Sequence, residues 1–123
     1  MKNMIAMRKY IIISILMTIF FLNASGQGFM KTSLEITIRD RLGNTVEGVK
    51  VKLYKTYEDF QSDIDFIQEP METNAKGKVV FKDLESIPYY ISAVKGDNNN
   101  YGDGEMVDTL IGNRKNKVTI IIR

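Results

Sequence analysis

LEITIRDRLGNTVEGVKVKLY, residues 34–54, decides the fold. From Leu34 to Arg39 apolar and polar residues alternate, and from Val49 to Tyr54 they alternate again. A period of two is that of a strand with one face buried and one wet. Between the two runs, Asp40-Arg41-Leu42-Gly43-Asn44 has the composition of a turn. Lys50 and Lys52 are expected to point outward, and Val49, Val51 and Leu53 inward.

Further strands are expected at Val79-Val80-Phe81, at Tyr89 to Val94 and at Val118 to Ile122, separated by segments rich in Gly, Asn and Asp. Short strands at such spacing indicate an all-β sandwich or barrel. The last strand is almost continuously apolar, which predicts burial on both faces or contact with a neighbouring chain. Lys117 and Arg123 flank it with charges of the kind that discourage edge-to-edge pairing. One segment breaks the pattern. Thr56-x-x-Asp59 is a capping signature, and Tyr57, Phe60, Ile64 and Ile67 fall at helical spacing, so a short helix is predicted near 57–62, with Pro70 starting an extended run.

The N-terminus reads as an export signal. Lys2, Arg8 and Lys9 precede an apolar run from Tyr10 to Leu22, too short to span a bilayer, followed by the small residues before Gln27. The expected organisation is a signal peptide over 1–26, a lead-in over 27–33 and one domain over 34–123. Cleavage before Gln27 removes three of the 17 basic residues and none of the 15 acidic ones. The remaining 14 bases and 15 acids give a formal charge of −1, so the basic balance belongs to the signal, and nucleic acid is not an expected partner. After cleavage the chain is not expected to be an integral membrane protein. Destination is left open among periplasm, cell surface and medium.

The chain has no cysteine and no histidine. That excludes disulfides, a Ser-His-Asp triad, a Cys-His pair and a His-ligated zinc site, and no cofactor is expected.

Three segments carry a family resemblance: Ile36 to Asp40 with Gly43, Val46 to Tyr54, and Thr73-Asn74-Ala75-Lys76-Gly77-Lys78-Val79-Val80-Phe81. Together they resemble the carboxypeptidase regulatory-like family, secreted modules with a transthyretin-like or prealbumin-like β-sandwich. The third looks like that family's Thr-Asp-x-x-Gly hairpin, with Asn74 where Asp is usual. The resemblance implies a Greek-key, Ig-like sandwich of about seven strands with one short helical insertion, and it does not imply an activity. Relatives of this sandwich include pilin domains with an internal Lys-to-Asn or Lys-to-Asp crosslink and a hydrolase branch that uses histidine. Leu34–Arg39 holds no lysine and Val118–Ile122 no Asn or Asp, so the crosslink is not expected here.

Two segments are candidates for function. Asp97-Asn98-Asn99-Asn100-Tyr101-Gly102-Asp103-Gly104-Glu105 is dense in oxygen ligands, and Asp97, Asn99, Asp103 and Asp108 would hold a calcium ion if any did. With Tyr101 at a ligand position and strands on both sides, a plain loop is the favoured reading, with Tyr101 folding back over one end of the sandwich. Thr56 to Ala75 holds six acids and no base, with Tyr57, Phe60 and Phe66 interleaved. Tyr57, Phe60, Asp63, Asp65 and Phe66 are the candidate recognition surface, weighed against aromatics that merely cap the core. The expected function is an exported, non-catalytic module binding a protein, a glycan or the cell envelope through end loops. The alternatives are a small hydrolase built on carboxylates such as Asp63, Asp65 and Glu69, or a calcium-stabilised surface module.

Overall fold

The structure, a computed structural model, describes residues 31–123. The expected signal peptide and the start of the lead-in lie outside the described residues. Within them the chain forms a β-sandwich with one short helix: β1 (Ser33–Arg39), β2 (Lys50–Tyr54), α1 (Tyr57–Ser62), β3 (Ile67–Glu72), β4 (Lys78–Phe81), β5 (Tyr89–Lys95), β6 (Asn98–Asn99), β7 (Met106–Val107) and β8 (Lys115–Ile121). One sheet has the order β4-β1-β8, with β8 parallel to β1. The other has the order β3-β2-β5-β6, and β7 also pairs with β5.

The alternation in the sequence becomes the core. Leu34, Ile36 and Ile38 of β1 face Val49, Val51 and Leu53 across the sandwich, with Phe81, Tyr89, Ile91 and Ile120 among the fully or nearly fully buried residues that join them. At about 25 cal/mol per Å2 of apolar surface removed from water, this layer supplies most of the stability of a chain without disulfides.

The turns follow side-chain chemistry. Asp40 Oδ1 accepts from the amides of Leu42 and Asn44, and Asn74 Oδ1 accepts from those of Lys76 and Lys78. Each acceptor starts its turn, because a short polar side chain can satisfy amides that the reversing backbone leaves open. Buried Thr73 ties the second turn to the first, donating to the Val46 carbonyl and accepting from the Val49 amide.

The helix lies where it was expected, at Tyr57–Ser62, and ends because Asp63 takes a left-handed conformation (φ 51°) and its amide bonds back to α1 carbonyls. Ile64 is therefore exposed and Ile67 opens β3, outside the helical run. Two other expectations need correction. Pro70 lies within this strand, not ahead of it. β3 is an edge strand whose pairing with β2 is irregular between Val51 and Leu53, so no regular ladder amide is asked of the proline. Finally, β8 is an edge strand with one buried face: Ile120 is buried, Ile121 half-exposed and Thr119 exposed. It also starts earlier than expected and so includes Asn116, whose carboxamide is occupied by backbone groups of Ser33, Ile111 and Arg114.

Among the described residues no helix is long and apolar enough to cross a membrane.

Candidate functional site

Part of the outer face of the five-stranded sheet is covered. Lys50, Lys52 and Tyr54 of β2 face outward opposite Val94, Ser92 and Tyr90 of β5. Two segments lie over Tyr54, Ser92 and Tyr90: α1, which follows β2 directly, and the loop from Asn98 to Glu105.

Thr56 places the helix. Its hydroxyl accepts from the Asp59 amide, the expected cap, and acidic Glu58 and Asp59 occupy the first turn, where the helix dipole favours negative charge. The helix drops Phe60 onto the sheet, where only 8% of it remains exposed. Its ring meets Tyr54 edge-on at 5.7 Å and Tyr101 edge-on at 5.8 Å between centroids. Tyr57 stacks beside it at 6.1 Å and also approaches Tyr90. Separations of 4.5 to 7 Å in edge or offset geometry are those at which aromatic quadrupoles attract.

The loop is held by Asn100, which is fully buried. β6 pairs with Val94 and Lys95 of β5, and β7 pairs with Tyr89 and Tyr90, leaving a gap between them. The Asn100 carboxamide fills that gap, accepting from the Ala93 amide and donating to the Ile91 and Gly104 carbonyls. A side-chain amide thus takes the place of a strand residue. This anchor sets Tyr101 down on Phe60 over the sheet face, not over an end of the sandwich as the sequence suggested.

Between helix and loop lies an open cavity of about 390 Å3, lined by Tyr57, Phe60, Gln61, Asp63, Tyr101 and Glu105. Phe60 is its floor. Tyr57 and Tyr101, 45% and 55% exposed, stand as walls. Asp63 receives the Tyr54 hydroxyl and the Lys52 ammonium, the latter at 3.0 Å. The Tyr54 hydroxyl, followed by Lys52, holds the Asp63 carboxyl below its usual range, while burial and then Asp63 push the Tyr54 hydroxyl upward.

That pair makes a pH prediction. A carboxyl whose folded-state pKa is depressed stabilises the fold above the ordinary aspartate value of about 3.9, and the contribution disappears as pH falls through the lower folded value. Urea midpoints of the wild type and Asp63→Asn are therefore expected to differ most near pH 6 and to converge below about pH 4. A difference constant across that range would show that the charge of Asp63 is not what matters.

Of the five residues singled out in the sequence, the fold brings Tyr57, Phe60 and Asp63 into this cleft. Asp65 and Phe66 are not in its lining; Phe66 is 40% exposed and has the Lys52 ammonium 5.4 Å from its ring centre. Gln61, Tyr101 and Glu105 were not foreseen as members, since nothing local in either segment signals their meeting. The candidate calcium ligands are engaged separately. Asn99 Oδ1 accepts from the Tyr101 amide, Asp103 is paired with Arg123, and Asp108 Oδ1 accepts from the Thr109 amide. Asp97 lines a different cavity, and among the described residues no three acidic side chains are grouped to hold a metal.

That other cavity is larger, about 1060 Å3, and lies where the β1–β2 loop, the Lys95–Asn98 turn and the C-terminal residues meet. Three of its polar groups serve the loops themselves: Asp40 caps its own turn, Lys95 donates to the Glu47 carbonyl and Arg123 holds Asp103. No aromatic ring lines it. The smaller cleft is the better-equipped candidate, because exposed rings with convergent polar groups are what interfaces use.

No protein-family model and no curated protein matches the chain. Solved structures do. A streptococcal ancillary pilin superposes with a TM-score of 0.57 at 16% identity, over 76% of this chain and 32% of that one. BcpA, the major pilin subunit of Bacillus cereus, gives 0.55 at 16% identity, over 76% and 30%. The chain thus spans about a third of the length of the pilins it matches. Klebsiella pneumoniae 5-hydroxyisourate hydrolase gives 0.43 at 18% identity over 76% of this chain and 87% of that one, a likeness too loose to bear on activity. At these identities the pilin likeness is one of fold: the described domain is a β-sandwich similar to pilin domains.

Proposed function

We propose that this chain is an exported, non-catalytic β-sandwich module that binds a protein, glycan or cell-envelope partner through the cleft between α1 and the Asn98–Glu105 loop. The observation that carries the reading is the pair of exposed tyrosines, Tyr57 and Tyr101, held rigidly over buried Phe60 by a helix cap on one side and a buried carboxamide on the other. Rings kept in water on a fixed scaffold lose little conformational freedom when a partner covers them, which is why tyrosine is enriched at binding hot spots. The export reading is supported by the basic and then apolar N-terminal sequence, and the finer placement among carboxypeptidase regulatory-like modules by the Thr73–Phe81 hairpin.

A carboxylate hydrolase is a poorer fit. Of Asp63, Asp65 and Glu69 only Asp63 lines the cleft, and its oxygens are occupied by Tyr54 and Lys52. A general acid and base would have to face a substrate together, and the second carboxylate of the cleft, Glu105, has only the occupied Asp63 to pair with.

The test is retention of the protein on envelope fractions from its native cells. Tyr57→Ala combined with Tyr101→Ala is expected to lower retention at least about tenfold, with a circular dichroism spectrum and melt close to those of the wild type. Equal retention of a folded double variant would end this reading.

A further inference from the structure

The charge around the cleft is negative in balance. Asp63 and Glu105 line it, Glu58 and Asp59 lie on the adjoining first turn of α1, and no lysine or arginine lines it. Of the bases nearby, Lys52 pairs with Asp63, Arg123 with Asp103 and Lys55 with Glu85. Lys50 reaches Asp63 only through its field, so the four acids outnumber Lys50 and Lys52. Glu105 uses Oε1 to accept from the Gly102 amide, and Gln61 uses Nε2 to donate to the Tyr57 hydroxyl, which leaves Glu105 Oε2 and Gln61 Oε1 as acceptors for a visitor. The faces of Tyr57 and Tyr101 carry the negative end of the ring quadrupole. Negative charge, vacant acceptors and exposed π-faces in one cleft describe a receptor for a cation carrying N–H donors.

The fold already uses this chemistry once: the Lys52 ammonium lies between the Asp63 carboxylate and the Phe66 ring. We infer, building on the binding-module reading above, that the cleft receives the guanidinium or ammonium group of an arginine or lysine side chain from a partner protein. Arginine fits better of the two, since its planar group stacks on a tyrosine while its fork reaches a carboxylate. A sugar is uncharged: its hydroxyls can donate to the carboxylates, but it gains no net Coulomb attraction from the excess negative charge.

The test is an NMR titration of the 15N-labelled protein at low salt with a capped pentapeptide bearing two arginines. Its twin, with both arginines replaced by the uncharged isostere citrulline, is the control. The amides of Tyr57, Gln61, Tyr101 and Glu105 are expected to shift with the arginine peptide, to move little with the citrulline peptide, and to respond less as salt is raised. Glu105→Gln should weaken the arginine peptide about threefold to fivefold, and Tyr101→Ala about tenfold.

Equal shifts with both peptides, shifts elsewhere on the molecule, or no shift at millimolar peptide would overturn the inference. So would movement of these amides by an N-acetylglucosamine oligomer but not by the arginine peptide. If any of these occurs while Tyr57→Ala with Tyr101→Ala still abolishes envelope retention, the cleft remains the binding site and only the ligand class is wrong. If retention also survives, both readings fall.

Discussion

Asn100→Ala is expected to destabilise the domain by about 3 kcal/mol and to loosen the loop that carries Tyr101. The carboxamide makes three hydrogen bonds in a fully buried setting, to the Ala93 amide and to the Ile91 and Gly104 carbonyls. Alanine fills part of the volume but none of the valences, so a strand amide and a strand carbonyl are left buried without partners. Each such group costs about 1 to 3 kcal/mol, and water entering the space would recover part of the loss. Asn100→Asp keeps the shape yet turns a donor into a second acceptor facing two carbonyls, so it should be at least as damaging near neutral pH. Chemical denaturation measures the stability change, and hydrogen exchange at Tyr101 and Gly102 measures the loosening. A loss below about 1 kcal/mol would mean that the loop is anchored by its short β6 and β7 pairings instead.

Gly77→Ala is expected to cost about 3 kcal/mol or more, whereas Gly43→Ala and Gly96→Ala should each cost about 1 kcal/mol. All three glycines have positive φ, at 73°, 87° and 58°, so each alanine suffers the left-handed penalty. Only at Gly77 would the added methyl also collide with fixed atoms: the Ile38 carbonyl oxygen at 2.8 Å, Thr45 Cβ at 2.9 Å and the Val46 amide nitrogen at 3.1 Å. Gly43 and Gly96 have open space at that position. Because the Gly77 carbonyl also accepts from the Ile38 amide, and Val46 donates to Ile38, the strain falls where the β1–β2 turn, β1 and the Asn74–Gly77 turn are joined. Thermal melts of the three variants would show the difference. Three equal shifts would mean that the β1–β2 turn yields readily to the intruding methyl.

The strands that carry the core were legible because their signal is local. In β1 and β2 every second side chain meets the other sheet, so the burial pattern is written directly into the residue alternation. The cap of α1 and the two turns begun by Asp40 and Asn74 were legible for the same reason, since acceptor and amide are at most four residues apart. β3 was only partly visible. Ile67-Gln68-Glu69-Pro70-Met71-Glu72 has little alternation, as befits an irregular edge strand with only half-buried residues on its inner side. β6 and β7, two residues each, are too short to have a period.

The cleft shows the division most plainly. The acidic, aromatic character of Thr56 to Ala75 and the polar density of Asp97 to Glu105 could be read from composition, but as two separate features. What joins them is a pairing of β5 with the loop, set by one buried carboxamide, and this sends Tyr101 and Glu105 to face Tyr57 and Gln61 across some forty residues of chain. The amino-acid sequence by itself determined an all-β domain with an amphipathic strand framework, a capped helical turn and no histidine or thiol chemistry, because those are matters of neighbour spacing and composition. Tertiary structure alone decided that β8 is an edge, that Gly77 is crowded by distant backbone while Gly43 is open, and that a helix and a loop line one cleft, because each depends on which distant backbone arrives alongside, and burial of the whole core selects that arrangement.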